Sequence, residues 1–104
     1  MAFQFGTDLL ETCVLAILNI EDTYGYKLTQ EIRKIVPVSE STLYPILRRL
    51  TNEQYLITYD KEYMGRNRRY YHLSETGKEK YRTNKGEWNI FHQKVTRLFE
   101  QGEI

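Results

Sequence analysis

Between residues 39 and 71 the apolar spacing changes abruptly from a helical period to the two-residue alternation of a hairpin, which leaves few folds open. Leu43, Ile46, Leu47 and Leu50 share one helical face. At about 100° per residue, Ser41, Pro45, Arg48 and Asn52 fall opposite that stripe, with Tyr44 and Arg49 on its flanks. The helix therefore has an apolar back and a front of small polar and cationic groups. Two strands follow, at residues 56–63 and 68–73, rich in β-branched and aromatic residues and separated by Met64-Gly65-Arg66-Asn67. Lys61, Arg66, Arg68 and Arg69 crowd the tip of this hairpin. A helix whose front suits a DNA groove, followed by a hairpin with a basic tip, is the pattern of a winged helix-turn-helix module.

The rest of the chain is consistent with that module and with little else. At 104 residues it holds one small domain. No apolar run approaches the ~20 residues of a membrane span, and Met1-Ala2-Phe3 does not open a signal peptide, so a cytoplasmic location and no membrane contact are expected. Cys13 has no second cysteine to pair with, and His72 and His92 lie far apart, so neither a disulfide, a zinc site nor another cofactor is expected. The formal net charge is only +1. It is unevenly spread: residues 1–38 hold three cations and five acids, residues 39–73 six and four, and residues 74–104 six and five. Within residues 61–71 four cations face the single acid Glu62. Affinity for DNA depends on cations placed at phosphates rather than on the total, so the local surplus is what counts.

Taken in order, residues 1–6 read as a lead-in whose Phe3 and Phe5 need apolar cover. Thr7 is the expected cap of a first helix that gathers Leu10, Cys13, Val14, Ile17 and Leu18 on one side. Thr23 is the expected cap of a second helix containing Tyr24-Gly25-Tyr26, with Leu28, Ile32 and Ile35 inward. Gly25 costs helix stability of about 1 kcal/mol relative to alanine, which points to a close approach by another backbone, whether of the protein or of DNA. Pro37 ends this helix. Ser39, Ser41 and Thr42 each offer a cap to the third, and Pro45 implies that its regular geometry starts late or that its first turn bends. In the strands Tyr59 and Tyr63 alternate with Ile57, and Arg69 and Tyr71 with Leu73, so tyrosines pack across the ribbon. His72 falls on the side opposite Leu73.

A last helix spans residues 74–99, capped by Ser74 or by a Thr76/Glu79 box. Tyr81, Trp88, Phe91, Val95 and Leu98 form a heptad-like seam interrupted by Asn84. The seam is too long and too aromatic for so small a domain to bury, so a second copy of the chain is the expected cover. Trp88 is either an anchor of that interface or a surface on which a flat molecule stacks.

Three segments, in this order and at this spacing, make the chain resemble the PadR family of transcriptional regulators: Tyr24-Gly25-Tyr26-Lys27-Leu28, Ser41-Thr42-Leu43-Tyr44-Pro45-Ile46-Leu47-Arg48-Arg49-Leu50, and Gly65-Arg66-Asn67-Arg68-Arg69-Tyr70-Tyr71-His72-Leu73-Ser74. The likeness covers most of residues 9–77. Asn67 departs from it where the family often has proline, and the short C-terminal part is similar to the compact subgroup with one terminal helix.

The resemblance implies a mainly helical α+β fold, with a winged helix-turn-helix of three helices and a two-stranded wing in residues 1–74 and a dimerisation helix in 75–104. It implies a homodimeric repressor on a palindromic double-stranded DNA operator, released by a small molecule. Ser41, Thr42, Tyr44 and Arg48 would enter the major groove. Lys61, Arg66 and Arg68 would reach phosphates or the minor groove, and Tyr26 and Lys27 would touch backbone near the start of the second helix. Some compact members bind flat, often cationic, aromatic effectors between subunits through a tryptophan, a place that Trp88 matches. A protein-interaction module without its own operator is the alternative. An enzyme is not expected, because no phosphate loop, catalytic triad spacing or metal-ligand cluster is present.

Overall fold

Residues 6–102 are described by the computed structural model of the protein, so the expectation for Phe3 and Phe5 lies outside the described residues. Helix α1 (Thr7–Ile20) buries Leu10, Val14, Leu15 and Leu18, a stripe set by three- and four-residue spacing. Its cap is the extended Gly6 rather than Thr7. The Gly6 carbonyl already accepts the Leu9 N–H, which places Thr7 inside the first turn.

Thr23 is likewise not a cap. Thr23 and Tyr24 form a short strand, β1 (Thr23–Tyr24), paired with Tyr71 and Tyr70. The sheet is therefore three-stranded, in the order β1-β3-β2, where the sequence suggested a two-stranded wing. A strand of two residues carries no periodicity to read. Helix α2 (Gly25–Arg33) then buries Leu28, Thr29 and Ile32. It stops before Ile35, which is 72 % exposed instead of inward, while Val36 beyond it closes the core. Helix α3 (Glu40–Asn52) is capped by Ser39, whose Oγ accepts the Thr42 N–H at 3.3 Å. It is regular from Glu40 and carries Pro45 in its second turn, so neither a late start nor a bent first turn is needed. The hydrogen bond that Pro45 lacks would have gone to the carbonyl of Ser41, a residue on the helix's exposed front.

Strands β2 (Leu56–Tyr63) and β3 (Arg66–Leu73) pair antiparallel from Leu56↔Leu73 to Tyr63↔Arg66. The turn is only Met64-Gly65, with φ of 51° and 79°, the two left-handed residues that a tight hairpin of this kind requires. Arg66 and Asn67 consequently belong to β3 and not to the turn. Leu56 and Leu73 fix one face of the hairpin to the core, and alternation puts Thr58, Asp60, Tyr71, Arg69 and Asn67 on that face and Ile57, Tyr59, Lys61, Tyr63, Arg66, Arg68, Tyr70 and His72 on the other.

Helix α4 (Glu75–Gly102) is anchored by Ser74. The Ser74 Oγ accepts the Gly77 N–H at 3.0 Å and donates to the carbonyls of Gln54, at 2.7 Å, and Tyr55, at 3.0 Å. Thr76 donates to Gln54 rather than forming a box with Glu79. Tyr81 packs on the core and Asn84 reaches α1, so the early part of the expected seam is covered within the chain. Farther along, Ile90, Phe91, Leu98 and Phe99 are each more than half exposed. No helix of the described residues is long and apolar enough to cross a membrane.

Candidate nucleic-acid interface

The front of α3 is built by its own register. With Leu43, Ile46, Leu47 and Leu50 buried, Ser41, Thr42, Tyr44 and Arg48 are left exposed, as their spacing from that stripe requires. The hydroxyls of Ser41 and Thr42 both lie within hydrogen-bond distance of Ser39 Oγ, at 2.9 and 3.1 Å. On α2, Tyr26 is exposed and Lys27 is paired with Glu31 at 3.2 Å.

Between α2, α3 and the wing runs a groove of about 500 Å³ lined by Tyr24, Gly25, Tyr26, Tyr44, Asp60, Asn67, Arg68, Arg69 and Tyr71. Arg69 crosses to Asp60 at 3.7 Å. Burial pushes the Tyr71 phenol up, an effect that the nearby Arg69 and Arg48 reduce. Sequence reasoning placed Tyr26, Tyr44 and Arg68 among the DNA contacts and left out Arg69, Asn67 and Tyr71, which line the groove with them. The signal existed: residues 69 and 71 alternate with the buried Leu73 and must face the helices.

Lys61, Arg66 and Arg68 occupy the opposite face of the hairpin, among aromatic rings. The Arg68 guanidinium is held between Tyr24 and Tyr63, 4.0 and 4.1 Å from their ring centres. Lys61 stands over Tyr70, which stacks on Tyr59 with centres 5.6 Å apart. The Tyr59 hydroxyl donates to Asp22 at 2.8 Å, and His72 Nδ1 meets the other oxygen of the same carboxylate at 2.8 Å. Burial would raise the Asp22 pKa, but these contacts outweigh it and hold it below the usual carboxylate value. The wing is thus tied to the α1–β1 connection from its outer side.

A second groove, of about 1200 Å³, separates α1 from α4. Trp88, Phe91 and Tyr55 give it aromatic walls; Asp8, Glu79 and Glu87 line it together with Arg49 and Lys80, the two cations that pair with the buried Glu11. The Trp88 ring lies parallel to His92, with centres 5.8 Å apart, and tilted against Phe91. Glu11, only 4 % exposed, accepts from Arg49 of α3 at 2.6 Å and from Asn84 of α4 at 2.7 Å, with Lys80 at 3.5 Å. Burial alone would raise its pKa; the two hydrogen bonds and the Lys80 and Arg49 charges hold it below the ordinary range. Among the described residues no group of histidine, cysteine and carboxylate side chains is placed to hold a metal ion.

Residues 14–83, two thirds of the chain, match the model of the transcriptional regulator PadR-like family. The protein belongs to the PadR-like family. Solved structures agree with this. A Streptococcus mutans protein is 38 % identical with a TM-score of 0.90, covering 96 % of this chain and 94 % of its own. A PadR-like regulator from Bacillus cereus is 33 % identical with a TM-score of 0.79, covering 88 % and 91 %. A PadR family regulator from Clostridium difficile is 29 % identical with a TM-score of 0.76, covering 86 % and 96 %. As a PadR-like chain the protein is a transcriptional regulator and not an enzyme, and its winged helix is of the kind with which PadR regulators bind DNA.

Proposed function

We propose that this PadR-like chain is a homodimeric repressor that occupies a palindromic operator and leaves it when a flat aromatic effector binds. The observation that carries the reading is a groove of about 500 Å³ on which Tyr44 of α3, Tyr26 of α2 and Arg68 and Arg69 of the wing come together, with Ser41 and Arg48 exposed on the same helix as Tyr44. Ser41, Thr42, Tyr44 and Arg48 read base edges in the major groove, Tyr26 and Lys27 hold the backbone beside them, and Lys61, Arg66 and Arg68 follow the phosphates past the wing.

The second subunit is supported by Ile90, Phe91, Leu98 and Phe99, an uncovered apolar surface on the outer half of α4. Trp88 and Val95 continue that surface and Tyr81 lies at its inner end. Two copies related by a twofold axis present two reading helices to half-sites one helical turn, ~34 Å, apart, hence a palindrome. The groove beside Trp88 has aromatic walls that suit a flat molecule, and with Arg49 and Lys80 taken up by Glu11, the carboxylates of Asp8, Glu79 and Glu87 favour a cationic one. In this reading, occupancy of the operator represses by excluding the polymerase.

The test is a fluorescence-anisotropy titration of the protein against DNA from upstream of its own gene at several salt concentrations. Binding is expected to weaken steeply with salt, and Arg66→Ala or Arg68→Ala to weaken it on every sequence while reducing the salt slope by about 0.9 each. Ser41→Ala and Tyr44→Ala are expected to change sequence preference instead. Binding that ignores salt overturns the reading, as does a monomer in sedimentation at the concentrations where DNA is bound.

A further inference from the structure

Gly25 opens α2 and is buried. Its backbone is not left-handed, so no turn geometry demands glycine there. At a helix start alanine lowers the unfolded chain's freedom and favours the helix, so the glycine needs another reason. A Cβ built on Gly25 would meet Tyr44 Cε1 at 2.9 Å, with Cζ and the hydroxyl at 3.6 Å. The neighbour that uses the space is therefore the tip of the Tyr44 ring, not the backbone that the sequence suggested. That ring lies across the start of α2, on the wall of the groove shared with Tyr26, Arg69 and Tyr71.

We propose that Gly25 is a positioning residue for DNA recognition: by lacking a side chain it lets the tip of the Tyr44 ring approach the start of α2 closely, which sets the direction in which the phenol meets the operator. The inference rests on the DNA-binding reading above. The phenol has a long reach, and a methyl group at residue 25 pushes the ring away from α2 and toward the wing. Because the displaced atoms are the end of a flexible side chain, the fold absorbs the change, and only the aim of Tyr44 is lost. Hydrogen bonds to base edges depend steeply on angle, so a re-aimed phenol loses discrimination while phosphate contacts stay in place.

The experiment compares wild type, Gly25→Ala, Tyr44→Ala and the double variant. Anisotropy is measured on the operator and on a scrambled duplex, urea unfolding on each protein, and NMR contacts between the Tyr44 ring and the residue-25 α-protons without DNA. Gly25→Ala is expected to unfold at the same or a higher urea concentration, to bind the operator about tenfold more weakly, and to bind scrambled DNA unchanged with the same salt slope. In the Tyr44→Ala background the glycine substitution is expected to add nothing. Losses that add in the double variant, or a reduced salt slope, overturn the proposal, since Gly25 would then serve a close phosphate approach. A wild type with no ring contact to Gly25 overturns it without any DNA present. A wild type that shows the contact but binds neither duplex refutes the DNA-binding reading instead.

Discussion

Replacing Glu11 by alanine removes a side chain on α1 that bonds to both α3 and α4. Its carboxylate accepts from Arg49 at 2.6 Å on α3 and from Asn84 at 2.7 Å on α4, and Lys80 lies 3.5 Å away. A hydrogen bond to a charged group contributes roughly 1.5–3 kcal/mol, and breaking a fully buried pair costs roughly 3–5 kcal/mol. Neither upper value applies. The Arg49 and Lys80 side chains keep 40 % and 25 % of their exposure, and Arg49 retains Glu53 at 3.5 Å, so both cations regain solvent or a partner. The expected loss is about 2–3 kcal/mol, a fall of roughly 1–2 M in the urea midpoint for a domain of this size. Glu11→Gln keeps the volume and one acceptor and should lose about half as much.

The pH dependence of this loss separates a charge effect from a packing effect. The folded-state pKa of Glu11 lies below its ordinary value of 4.5, so the carboxylate's contribution is complete above that value and disappears as pH falls through the folded-state pKa. The difference between wild type and Glu11→Gln should be full at pH 7 and shrink steadily in acid. A Glu11→Ala protein within 0.5 kcal/mol of wild type would refute the reasoning. So would a Glu11→Gln difference that is the same at pH 3 as at pH 7.

Two more outcomes follow from close contacts. A Cβ on Gly77 would overlap the Tyr55 carbonyl oxygen and lie 2.6 Å from Leu73 Cδ1, where β2 and α4 are joined by the Ser74 N–H to the same carbonyl. Backbone cannot swing aside as a ring can, so Gly77→Ala should lose more than about 3 kcal/mol in a urea titration, in contrast to Gly25→Ala. Arg68→Lys keeps the charge but loses the flat stack between Tyr24 and Tyr63, so the salt slope of DNA binding should hold while amide hydrogens of residues 61–68 exchange faster.

What the sequence made legible was whatever a period could carry. The α3 stripe, Ser39 among the possible caps, the wing and a last helix longer than its domain all come from spacing, and each is in the structure. What it hid was set by neighbours distant in sequence. Thr23 looks like a helix cap because threonine often is one; β1 exists because β3 offers it a free edge at Tyr70 and Tyr71. Ile35 fits the apolar spacing of α2, yet the helix has already ended and Val36 reaches the core first. Gly77 and Glu11 carried no local signal, because the Tyr55 carbonyl and the Arg49 and Asn84 side chains that define their roles lie many residues away.

The candidate site divides along the same line, and the division says something about its design. The DNA contacts inferred from the sequence are polar or cationic groups on α2, α3 or the wing, all exposed except the half-buried Arg68, found by charge and by the resemblance. Arg69 was missed because a basic run looks alike from both sides, although Leu73 decides the question: counting back in twos puts Tyr71 and Arg69 on the helix side, and Tyr70 and Arg68 away from it. The two faces then take different work. Arg68 and Lys61 lie against tyrosine rings on the outer face, with Tyr59 tied to Asp22, so those rings hold the hairpin's attitude. Arg69 and Tyr71 form the floor beneath Tyr44 on the inner face. A hairpin of two strands is marginal alone; braced outside by Asp22 and inside by the core, it holds Arg69 beside Tyr44 of α3 on the groove between them.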